Sequence, residues 1–73
     1  MPAIQYGLAK ALKAEGQTQR AVEAAKRCVQ LDQKFADGHY LLGQLYRESQ
    51  RPELARQEFE LFRQLKDGTK IQR

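Results

Sequence analysis

Apolar residues recur along this chain with a helical period, in four blocks separated by turn residues. The first block, about residues 2–15, sets Ile4, Leu8, Ala11 and Leu12 on one helical face. Pro2 suits a first turn, where its missing N–H is not needed. Gly16 stands where a helix C-terminus favours a residue with positive φ. The second block, about 18–32, opens at Thr18, an expected N-cap. It carries Ala21, Ala25, Cys28 and Val29 on its apolar face, joined by Val22 and Leu31. The third, about 36–49, starts near Ala36 or Asp37, where an Asp favours the positive end of the helix dipole. Its apolar residues are Leu41, Leu42, Leu45 and Tyr46, with His39 one turn earlier. The fourth, about 52–66, begins at Pro52 and carries Leu54, Ala55, Phe59, Phe62 and Leu65 before Asp67-Gly68 stops it. Residues 69–73 are too short for an element and are expected to fray. No strand alternation appears. The pattern predicts an all-α fold of four antiparallel helices joined by short connections.

The second half of the chain repeats the first. At an offset of 34 residues, Tyr6/Tyr40, Leu8/Leu42, Ala21/Ala55, Gln30/Gln64 and Leu31/Leu65 coincide. Residue size corresponds as well. Ala9 and Gly43 are small beside large Leu8 and Leu42, as close approach of paired helices requires. Residues 36–67 carry His39-x-x-Leu42-Gly43-x-x-Tyr46, then Ala55-x-x-x-Phe59. Residues 2–33 carry the looser version Gln5-x-x-Leu8-Ala9-x-x-Leu12, then Ala21-x-x-x-Ala25.

In these motifs the chain resembles the tetratricopeptide repeat family, whose pattern is a large aromatic, Leu-Gly, Tyr, then Ala-x-x-x-Phe and a closing Pro. His39 and Gln5 replace the aromatic, while Asp67 and Gln33 stand in the proline slots. The resemblance implies two stacked helix-turn-helix repeats, about 2–35 and 36–68, forming one domain and a fragment of an α-solenoid. It also implies that the first helix of each repeat lines a concave surface. That surface would present Tyr6, Lys10 and Lys13 from one repeat and Tyr40, Gln44 and Arg47 from the next. Each set is spaced by four and then three residues, so its members project together. Two aromatic surfaces and three positive charges suit a peptide segment with carboxylates. The family's clamp on a C-terminal carboxylate uses asparagines. The corresponding positions here hold Gly7 and Leu41, so that clamp is not expected.

Composition narrows the chemistry. Seventy-three residues make at most one small domain. Cys28 is the only cysteine, which excludes an internal disulfide and favours a reducing, cytoplasmic compartment. No apolar run reaches the roughly 20 residues of a membrane span, and no signal-peptide h-region follows Met1. His39, the only histidine, is expected to replace an aromatic packing residue. Cys28, whose counterpart is Phe62, is expected to be a small core residue. One Cys and one His do not make a metal site, and there is no phosphate-binding loop, so neither metal nor cofactor is expected. Glu53, Glu58 and Glu60 lie among Arg51, Arg56 and Arg63, the pattern of a solvated, paired face.

The leading functional expectation is a non-enzymatic protein-interaction module that binds a peptide, acidic in character, in the concave groove. An alternative is a structural piece of a longer array, or a homo-oligomer, that uses the open hydrophobic end at Leu54, Leu61, Phe62 and Leu65. A third reading, a basic nucleic-acid-binding domain, is permitted by the net charge of +4. Interspersed acids and the absence of any basic run longer than two residues weigh against it.

Overall fold

The structure, a computed structural model, describes residues 1–67; the expected frayed tail at 69–73 lies outside them. The helices are α1 (Pro2–Ala14), α2 (Thr18–Leu31), α3 (Ala36–Glu48) and α4 (Pro52–Asp67), with no strand among the described residues. α1 pairs with α2, and α3 with α4. The two hairpins then stack through α2 and α3, with α1 touching α3 more lightly.

Both hairpins turn in the same way. At the end of α1, Gly16 takes φ 78°, its N–H donates to the Lys13 carbonyl (3.0 Å), and the Gln17 N–H reaches back to Leu12 (2.9 Å). At the end of α3, Gln50 takes φ 63°, its N–H donates to Arg47 (3.1 Å), and the Arg51 N–H reaches back to Tyr46 (2.8 Å). These are two Schellman closures, each satisfying carbonyls that the helix end leaves over. The link between α2 and α3 is built differently. Asp32 accepts the Lys34 N–H on Oδ1 (3.0 Å) and the Phe35 N–H on its carbonyl (3.1 Å).

Thr18, the expected N-cap of α2, is its first helical residue behind Gln17, while α3 starts at Ala36 as expected, with Phe35 as its N-cap. Neither N-cap side chain makes a capping hydrogen bond to the helix backbone. Asp37 lies in the first turn, where its negative charge complements the positive end of the helix dipole.

The core runs through Ala9, Leu12, Ala21, Val22, Ala24, Ala25, Leu41, Leu42 and Leu45, with Cys28 and Ala55 also buried. Leu42, Leu45 and Cys28 are the largest side chains sealed within it. One expectation changes here. Ile4 and Leu8 are 63% and 46% exposed and Ala11 is exposed, so α1 packs through Ala9 and Leu12, with Tyr6 beside them. Leu42, the counterpart of Leu8, is buried on a helix that packs against both α2 and α4. No described helix takes the same place beside α1.

Candidate functional site

Tyr6, Lys10 and Lys13 project from α1 toward Tyr40 and Gln44 on α3. Together with Ala14 and Leu41 they line an open hollow of about 340 Å³. Five of the six residues expected to share a surface therefore meet in one place. Arg47 does not join them. It faces the neighbouring groove over α4, with its guanidinium 5.5 Å from the Phe59 ring centroid. Tyr40 lines both hollows.

The charges in the first hollow are not equivalent. Lys13 Nζ lies 3.1 Å from Glu48 Oε2, an ion pair that joins α1 to α3 and offsets the lysine's charge. Lys10 Nζ sits 5.1 Å from the centroid of the Tyr6 ring and has no carboxylate partner among the described residues. The hollow thus offers one uncompensated cation rather than the three expected for the whole set. Both aromatic surfaces are anchored from behind. Tyr6 meets Phe35 edge-on, with centroids 5.3 Å apart, and Tyr40 leans on Phe59 (5.5 Å) and Phe62 (4.9 Å). Phe35 is a supporting residue that the spacing did not single out, because it lies in the α2–α3 link outside any helical stripe. Burial, and then the charge of Asp37, raise the Tyr6 phenol above its ordinary range, so it meets a ligand as a neutral hydrogen-bonding group.

Two other candidate residues are occupied by the fold. His39 is buried at 5% exposure. Its Nδ1 lies 2.7 Å from Glu58 Oε1, and its Nε2 lies 2.8 Å from the Gln33 carbonyl. Both ring nitrogens thus lie within hydrogen-bond distance of an oxygen, one on α4 and one in the α2–α3 link. Glu58 is therefore not part of a solvated arginine-paired face, as the sequence led us to expect. It turns inward to hold α4 against α3, while Glu60 pairs with Arg63 at 2.8 Å. In repeat one the counterparts are Gln5 and Ala24. There the amide oxygen of Gln5 is buried with no hydrogen-bond partner among the described residues. Cys28 is fully buried; burial, and then Asp32, push its thiol above the ordinary range and disfavour the nucleophilic thiolate.

Among the described residues, no group of three His, Cys, Asp or Glu side chains is placed to hold a metal ion. No described helix is long and apolar enough to cross a membrane. A model of the tetratricopeptide repeat family matches residues 12–67. Comparisons with curated proteins and with solved structures gave no match.

Proposed function

This chain belongs to the tetratricopeptide repeat family, whose members generally bind protein partners, and from that premise we propose that it is a non-enzymatic module holding an acidic peptide segment between α1 and α3. The observation that carries this reading is the convergence of Tyr6, Lys10, Tyr40 and Gln44 on one hollow. Its two phenol rings give apolar area at low cost in side-chain entropy. Lys10 supplies a charge for a carboxylate, and the Gln44 amide can pair with a peptide group. The non-enzymatic part draws support from the two residues best suited to chemistry. Cys28 is sealed, and both ring nitrogens of His39 face fixed acceptors.

The test is binding of a pool of synthetic acidic peptides, followed by fluorescence anisotropy. A charge-assisted hydrogen bond is worth about 1.5–3 kcal/mol, so Lys10→Glu should weaken binding about tenfold or more, with the helical circular dichroism unchanged. Gln44→Ala should weaken it less. Binding indifferent to both substitutions would dispose of the hollow as the site.

A further inference from the structure

The repeat shows what a helix laid on this fold meets. In repeat one, α3 lies over the α1–α2 pair, and Val22, Ala25, Cys28 and Val29 are buried or partly buried on the side of α2 that it covers. Gly38 of α3 comes so near that a Cβ there would stand 3.2 Å from Val29 Cγ1. Thirty-four residues on, these positions are Arg56, Phe59, Phe62 and Arg63, and no described helix covers them. They line a groove of about 620 Å³, with Tyr40, Phe59 and Phe62 as an aromatic floor and three arginines, Arg47, Arg56 and Arg63, against one carboxylate, Glu60, around it.

An occupant of this groove meets guanidinium groups where α3 meets two valines. Arg63 shares the Glu60 carboxylate, Arg47 rests over Phe59, and Arg56 has no carboxylate partner among the described residues. A wholly apolar helix would strip water from these cations without replacing it, and a wholly polar one would leave the rings wet. The molecule already contains the matching solution. Lys13, the counterpart of Arg47, takes the carboxylate of Glu48 from the last turn of α3 at 3.1 Å.

We propose that this groove docks an amphipathic α-helix of a partner protein, with apolar residues on Phe59 and Phe62 and carboxylates against Arg47, Arg56 and Arg63. A second copy of the chain is the wrong occupant. By repeat register its α1 would enter the groove, and α1 carries Lys10 and Lys13 with no acidic residue. The surface is separate from the α1–α3 hollow, with which it shares only Tyr40.

The probes are two synthetic helical peptides with one apolar stripe, flanked in one by Glu and in the other by Lys, titrated against the intact chain by anisotropy. The Glu peptide should bind about tenfold tighter or better, with the advantage shrinking as salt rises. Arg56→Glu with Arg63→Glu should reverse the order, and Phe62→Ala should weaken both peptides. Lys10→Glu should change neither, which separates this surface from the hollow of the preceding proposal. Should the double reversal fail to fold, the single Arg56→Gln should still cut the preference for Glu. Equal affinities, or a preference indifferent to the arginines, would overturn the proposal. So would a concentration-dependent dimer in sedimentation that Leu8→Glu dissolves, because the groove would then belong to a second copy.

Discussion

A Cβ on Gly43 would stand 2.6 Å from Cε1 and 2.8 Å from Cδ1 of Phe59, so the Phe59 ring fills the space that a side chain on residue 43 would need. The corresponding residues of repeat one are Ala9 and Ala25, both fully buried, so the two repeats divide volume differently between these positions. Gly43→Ala should therefore destabilise by up to about 2 kcal/mol, an overpacking cost of about 1–3 less about 1 from better helix propensity. In a Phe59→Ala background the same change should stabilise by up to about 1 kcal/mol, since the pair then copies repeat one. A double-mutant cycle in urea measures the sign change; additive effects would mean that the contact carries no constraint.

The turn after α3 holds Gln50 at φ 63°, where its counterpart Gly16 sits at φ 78°. A side chain in this left-handed region costs about 1–2 kcal/mol, and Gly gives part of that back as unfolded-state entropy. Gln50→Gly should raise stability by about 0.5–1 kcal/mol, and Gly16→Ala should lower it by about 1. For a domain of this size about 1 kcal/mol moves the melting midpoint by roughly 4–8 °C, which thermal denaturation resolves. A lower midpoint for Gln50→Gly would mean that its side chain contributes something the backbone geometry does not show.

His39 and Glu58 join residues 19 positions apart, with side chains only 7% and 17% exposed. His39→Ala leaves an inward-facing carboxylate and the Gln33 carbonyl without their donor, and should cost about 2–4 kcal/mol. His39→Phe together with Glu58→Leu should recover most of that, because the double change removes both ends of the polar contact and fills the space. Urea midpoints of the three proteins decide the matter. A double variant as unstable as His39→Ala would show that the Gln33 carbonyl, not Glu58, is the partner that counts.

The sequence carried the helices well because their signals are local. The period of the apolar residues, Pro52 at a first turn and Gly16 after a last turn all act within one element. What it could not carry lies between elements. A stripe such as Ile4, Leu8 and Ala11 tells which residues share a face, not whether anything stands opposite. Glu58 looked solvated among arginines along the chain, yet its partner is on another helix. Lys13 and Arg47 occupy the same place in their repeats. The first therefore reaches α3 and Glu48, while the second faces the groove beyond α3 and leaves the hollow that Lys13 lines. The match of five residues to one hollow came from the repeat, since the 34-residue offset places Tyr6 and Tyr40 on successive parallel helices.

The sulfur of Cys28 sits in the seam between the two hairpins, 2.9 Å from where a Cβ on Gly38 would stand. Helical content would barely change if the hairpins parted while each stayed wound, so circular dichroism is blind to that event. A thiol reagent is not, because it reaches the atom only once the seam has opened. The chain thus carries its own gauge of how often its halves come apart.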